Sequence, residues 1–322
     1  MGLFSNNKKL CPICGNPTPR LLATKVEGMP ICKECDKKIF LPNGAVDNMS
    51  LEDFKQYIAY YEGNKELRDS FTETWKYAFG FLSPTMVLDV THGLFKLKDD
   101  ANAPALEAAC LKSFCISEDG QPLFEGDRNG LKLHHSDVPE RVKNLAPQIE
   151  DFLYEKRDYE RWERMEKMRE QQRQNNAVNG VPVIRDTSSS DYRTIPTFDV
   201  SAPVRQFQLE IVLDHPYWKN FKETVEAPGF DRYNPSGEDY LRKYQEKVQE
   251  LHTVASSLMD LIQPGAKEYY DPAEAGAAQN GAAQTGASLG TADEIKKFKD
   301  LLDAGVITEE EFAAKKSQLL NL

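Results

Sequence analysis

The sequence predicts an α+β protein built from several units, and three observations predict it. Four cysteines are bunched near the start, a hydrophobic period of two runs through the middle, and a helical period governs three separate stretches. At 322 residues the chain is long enough for two or three units, since single cores rarely grow past about 250–300 residues. Its 40% hydrophobic and 28% charged residues are ordinary for a globular protein.

The head is set by Cys11, Cys14, Cys32 and Cys35, two C-x2-C pairs separated by 17 residues. Two sulfurs three residues apart on a tight turn grip one face of a tetrahedral ion, and the second pair closes the other face. Pro12 and Gly15 suit such a turn. Lys8, Lys9, Lys33, Lys37 and Lys38 lie nearby, and positive charge favours thiolate over thiol. Residues 1–45 are therefore expected to form a zinc ribbon holding one structural Zn2+ through four cysteines. With all four positions taken by protein, such a site folds the chain and leaves no vacancy for substrate.

Charge separates this head from the rest. Residues 1–40 carry seven Lys or Arg and three Asp or Glu, +4, which leaves −15 of the total −11 to the remainder. So acidic a body argues against a general nucleic-acid binder, and the basic ribbon alone keeps a nucleic-acid-associated regulator open as the alternative. It equally disfavours an anionic membrane surface. No run approaches the roughly 18–20 apolar residues that cross a bilayer, and the first residues lack a signal-peptide core. Gly2 invites myristoylation, but Asn6 stands where Ser or Thr is expected. With a thiolate site, these features point to a cytoplasmic setting. Cys110 and Cys115 have no second pair and read as buried, inert thiols.

Residues 50–72 read as a connecting helix, with Phe54, Ile58 and Tyr61 at helical spacing and Ser50 with Asp53 as its N-terminal cap. A β-rich domain over 73–262 follows. Met86, Leu88 and Val90 alternate with Val87 and Asp89, and the turn Thr91-His92-Gly93 leads into Leu94 to Leu97. A second hairpin joins Leu111 to Ile116 with Pro122 to Glu125 through Glu118-Asp119-Gly120, where Asp-Gly supplies a type I′ turn. Asp127 to Gly130 turns the chain again into Leu131 to Leu133.

A helical insertion over 138–178 interrupts this pattern. Ile149, Phe152, Tyr159, Trp162, Met165 and Met168 recur at helical spacing, and Glu160 with Arg164 and Glu163 with Lys167 form i,i+4 pairs. This predicts a long charged helix that protrudes or covers a sheet. Strands resume at Val181 to Ile184 and, after a loop at Ser188 to Ser190, at Phe207, Leu209, Ile211 and Leu213. Over 238–262, Leu241, Tyr244, Val248, Leu251, Ala255, Leu258 and Ile262 make a continuous seam that docks on its own domain. A pleckstrin-like barrel closed by that helix is the middle fold preferred here.

Residues 263–290 are Ala- and Gly-rich and read as a flexible tether with a reach of roughly 25–35 Å. Over 291–322, Thr291 with Glu294 and Thr308 with Glu311 form two capping boxes, and Ile307 with Phe312 a hydrophobic staple. The apolar faces are Ile295, Phe298, Leu301 and Leu302 on one helix and Phe312, Leu319 and Leu320 on the other. The segment from Asp293 through Leu301-Leu302-Asp303-Ala304-Gly305 and Ile307-Thr308-Glu309-Glu310-Glu311-Phe312 resembles the SHOCT family of short helical pairs. That resemblance implies oligomerisation or protein contact through those seven residues. Thirty residues are too few for a secure core of their own, which agrees.

With the Cys-Pro-Ile-Cys-Gly head, the chain also resembles a bacterial family of unknown function that pairs such a ribbon with a β-rich middle and sometimes a SHOCT tail. Gly93 to Leu97, the Glu118-Asp119-Gly120 turn and Phe207 to Leu213 fit that middle, and the resemblance implies an architecture without an established activity. Catalysis is not expected. His134-His135 with Asp127 and Asp137 lacks a nucleophile elbow, phosphate loop or H-E-x-x-H, His92, His215 and His252 stand alone, and Ser188 to Ser190 lacks flanking glycines. An enzyme with a site scattered through the middle domain is the second alternative. The reading favoured is a non-enzymatic zinc-binding adaptor or scaffold.

Overall fold

The computed structural model describes residues 9–80, 85–179 and 193–270. The tail helices expected over 291–322, the strand expected at Val181 to Ile184, the loop at Ser188 to Ser190 and the expected tether past Tyr270 lie outside them; residues 263–270, read as the start of that tether, end instead in a strand, Glu268–Tyr270, that joins the body's sheet.

At the head, β1 (Lys25–Val26) pairs antiparallel with β2 (Met29–Pro30). Glu27 and Gly28 between them both have left-handed backbones, which a type I′ turn requires. One helical turn, α1 (Lys33–Asp36), follows. The connecting helix is α2 (Leu51–Gly63), and the capping box of Ser50 with Asp53 closes its N-terminus as the sequence indicated.

That helix does not run unbroken towards Phe71. It stops at Asn64 and restarts as α3 (Lys65–Ser70). Asn64 is buried, and its amide pairs with the backbone of Ala105, donating from Nδ2 at 2.8 Å and accepting at Oδ1 at 2.9 Å. A partner 41 residues away thus sets the break.

The middle contains two sheets. β3 (Trp75–Ala78), β4 (Thr85–Asp89), β5 (Leu94–Lys96) and β6 (Leu106–Glu107) form an antiparallel meander in chain order. The hairpin around His92 is the one anticipated. Its alternation is not one of exposure, because Val87 and Asp89 are as buried as Met86 and Leu88. Asp89 tolerates burial because its carboxylate accepts from Thr72 N–H at 2.7 Å and His92 N–H at 3.1 Å, and meets His92 Nδ1 at 2.8 Å.

The second sheet comprises β7 (Leu111–Glu118), β8 (Gln121–Asp127), β9 (Gly130–Leu133), β10 (Gln206–Leu213), β11 (Asn220–Glu226) and β12 (Glu268–Tyr270), in the order β11-β10-β7-β8-β9-β12. Asp119 and Gly120 hold the left-handed conformations expected between β7 and β8. In β10, Phe207, Leu209, Ile211 and Leu213 are all buried, as the period of two predicts. Among the described residues, only β12 pairs in parallel, along β9.

Between β9 and β10 stands the helical excursion, α4 (Val138–Asn144) and α5 (Ala146–Val178). Ile149 and Phe152 bury against Phe198 in a small cluster of their own. Tyr154, Met165 and Met168 further along are exposed, so the helix protrudes for much of its ~50 Å. Same-helix ion pairs support it there, Glu163 to Lys167 at 2.9 Å among them.

The long closing helix α6 (Gly237–Ile262) is capped by Ser236, whose Oγ accepts from Asp239 N–H at 3.2 Å. It packs on β7, β8 and β9 and buries Tyr240, Tyr244, Leu251, Val254, Ala255, Leu258 and Met259. The seam therefore docks on its own domain.

Gly126 in β8 leaves no room for a side chain between sheet and helix. A Cβ there would fall 2.1 Å from Phe114 Cε1 and 2.8 Å from Met259 Sδ of α6. Gly126→Ala is expected to lower unfolding free energy by about 1–3 kcal/mol through overpacking, read as a shifted urea midpoint.

Candidate metal centre

Two backbone knuckles bring the four cysteines together. In the first, Cys11 O accepts from Gly15 N–H at 2.9 Å and Cys11 N–H donates to Asn16 O at 2.8 Å. Gly15 takes φ 77°, the turn conformation expected of it. In the second, Cys32 precedes α1 and its carbonyl accepts from Asp36 N–H at 3.0 Å, which places Cys35 one turn on.

The sulfurs of Cys14 and Cys32 lie 3.3 Å apart, those of Cys14 and Cys35 3.6 Å, and those of Cys11 and Cys35 3.9 Å. All four fall within 4.8 Å of one another, a cluster that can hold one metal ion. Tetrahedral bonds of ~2.3 Å require sulfur separations of about 3.8 Å, so the cage has the right size. The separations are far beyond the ~2.05 Å of a disulfide.

Electrostatics explains why this cluster calls for a cation. Burial raises the Cys11 thiol, but the backbone N–H groups of Cys14, Cys32 and Ile13 outweigh it and bring Cys11 down to about 7. Cys35 is pushed well up, by burial first and then by the sulfurs of Cys14 and Cys32. One thiolate forms readily and then opposes the next. Bound metal removes that opposition, and the four ligands fill a tetrahedral shell. The sequence credited neighbouring lysines with favouring thiolate. In the structure backbone dipoles do so at Cys11; Lys37 pairs with Glu34 at 3.1 Å, and Lys38 pairs with Glu62 while its charge also acts on Cys35.

The ribbon is joined to the body through aromatic residues that sequence reasoning missed. Val26 and Ile31 enter the same core as Phe54 and Tyr57 of α2. Tyr57 Oη donates to Lys38 O at 2.6 Å and accepts from Phe40 N–H at 3.0 Å. Trp218 Nε1 donates to Phe40 O at 3.2 Å. Both rings are apolar bodies with a polar tip, suited to holding an irregular strand in a buried place. Burial pushes the Tyr57 phenol up to about 12, so it stays protonated as a donor.

The remaining polar candidates are held by local partners. His134 Nε2 meets Glu125 Oε2 at 2.7 Å, and His252 Nε2 lies 3.1 Å from Glu268. Asp127 accepts from Asn129, and Asp137 lies 3.5 Å from Arg141. His215 packs against Tyr60 and Trp218, and burial lowers its pKa. Cys110 and Cys115 are pushed up to about 11, by burial first, and so remain thiols.

A buried triad also went unread in the sequence. Glu118 accepts from Ser136 Oγ at 2.5 Å and from Tyr244 Oη at 2.6 Å, tying β7 to the start of α4 and to α6. Residues so far apart in sequence carry no local signal of their meeting.

Among known proteins, the model of the short C-terminal domain (SHOCT) family matches residues 293–320. No curated protein and no solved structure matches the chain. The chain thus combines a four-cysteine head, a mixed α+β body and a SHOCT segment. Among the described residues, no helix is long and apolar enough to cross a membrane.

Burial raises the Glu118 pKa above its usual 4.5 despite both hydrogen bonds. Between 4.5 and the raised value the folded state binds more protons than the unfolded one, so stability falls as pH rises through that window. Glu118→Gln is expected to flatten this slope in urea titrations at successive pH values.

Proposed function

We propose that this protein is a non-enzymatic zinc-binding adaptor or scaffold. The observation that supports the reading is the four-sulfur cluster, which can hold one metal ion and, with all four positions supplied by protein, would leave that ion structural. Zinc is the metal suited to four thiolates at this spacing. A reducing cytoplasm would keep those sulfurs available, which supports a cytoplasmic location.

In this reading the ribbon presents a rigid surface to protein partners. The SHOCT segment self-associates or docks through Ile295, Phe298, Leu301, Leu302, Phe312, Leu319 and Leu320. The family match at 293–320 supports the second role. A tethered module would raise the effective concentration of whatever the head and tail both engage.

Two measurements test this on the full chain. Metal analysis after reducing, metal-replete expression is expected to give about one zinc per chain, and Cys32→Ser to give less. Light scattering is expected to show a smaller assembly once the chain is cut before Thr291. An unchanged mass together with unchanged captured partners would refute the role given to the tail.

A further inference from the structure

The four sulfurs of the cluster are not equally shielded. Cys11, Cys32 and Cys35 are only 2–3% exposed, whereas Cys14 is open to solvent. Gly15 follows it, and beyond its chain neighbours no heavy atom lies within 4 Å of where a Cβ there would stand. The turn beside Cys14 is therefore bare. A purely structural site gains nothing from an open sulfur, because a thiolate that solvent reaches is also one that oxidants reach.

A second cysteine stands beside it. The sulfur of Cys32 lies 3.3 Å from that of Cys14, nearer than the sulfur of Cys35 at 3.6 Å. Cys32 sits on extended backbone just before α1, so it is freer to shift than Cys35, which is inside the helix. It also lines a cleft of about 360 Å³ with Asn16, Pro17, Pro19 and Lys33, which gives a small reagent a path to this side of the cluster. An accessible thiolate next to a resolving cysteine is the arrangement that favours reversible oxidation. Cys110 and Cys115 differ, since burial keeps both as unreactive thiols.

We propose that Cys14 is a site of oxidation by hydroperoxides, resolved by Cys32, and that this oxidation opens the metal centre. The Cys14 sulfur attacks one peroxide oxygen, the O–O bond breaks, hydroxide leaves, and Cys14 becomes a sulfenic acid. The Cys32 thiolate then attacks the Cys14 sulfur, the S–S bond forms, and a second hydroxide leaves. Two thiolates have lost two electrons in total, and the peroxide has been reduced to two hydroxides. Cys11 and Cys35 alone cannot complete a four-sulfur shell, so the site gives up its metal. This rests on the zinc-binding reading of the cluster and adds a chemical trigger to it.

The test treats zinc-loaded full-length protein with hydrogen peroxide. Zinc release is read with a chromogenic chelator, and disulfides are mapped by peptide mass spectrometry after free thiols are blocked. About one zinc per chain is expected to leave as a Cys14–Cys32 link forms, and dithiothreitol with added zinc is expected to restore the starting state. Cys110→Ser with Cys115→Ser is expected to leave the dose response within about 2-fold of wild type. Zinc retained at a ~10-fold excess of peroxide, or released without a Cys14–Cys32 link, overturns this proposal alone. A chain that carries no zinc before peroxide is added overturns the zinc-binding reading and this proposal with it.

Discussion

Four sulfurs within 4.8 Å of one another form a group that cannot carry four negative charges without a cation among them. That constraint organises the N-terminal part of the molecule. It fixes the knuckles at Gly15 and Cys32, and these fix the Leu10–Pro17 bridge and the β1–β2 hairpin. A fragment of about forty residues has little core of its own, and a metal held by the four sulfurs would supply what apolar burial cannot.

The ribbon is also not an isolated bead on the chain. Val26 and Ile31 share a core with α2, and Tyr57 and Trp218, far apart in sequence, both hold the Lys38–Phe40 segment. Ordering the head therefore costs less conformational freedom than it would for a free fragment, because one side is already pinned. The same tyrosine cluster connects the head to the turn between β10 and β11. The head and the edge of the large sheet thus share aromatic neighbours.

The body follows a different logic. Its strands and α6 are held by apolar burial, and buried polar groups such as Asn64, Asp89, Lys96 and Glu118 have partners. Helix α5 departs from that pattern. Past Phe152 it has little burial and relies on helical propensity and charge pairing, a design suited to extending into solvent.

Local chemistry was legible in the amino-acid order. The cysteine spacing marked the four-sulfur cluster, the Asp119-Gly120 step marked a turn, Ser50 with Asp53 marked a cap, and the alternation in Phe207 to Leu213 marked the buried face of β10. The SHOCT segment was likewise readable from its motif. Each of these is decided within a few residues by backbone geometry or periodicity. Tertiary structure alone decided the break at Asn64, the burial of Asp89, the parallel pairing of β12, the Glu118 triad and the clasp of Tyr57 and Trp218. In each of them a group's partner lies far along the chain or its environment is set by packing. Such partners leave no periodicity behind, because the energy of a buried hydrogen bond depends on proximity in space and not on separation in sequence.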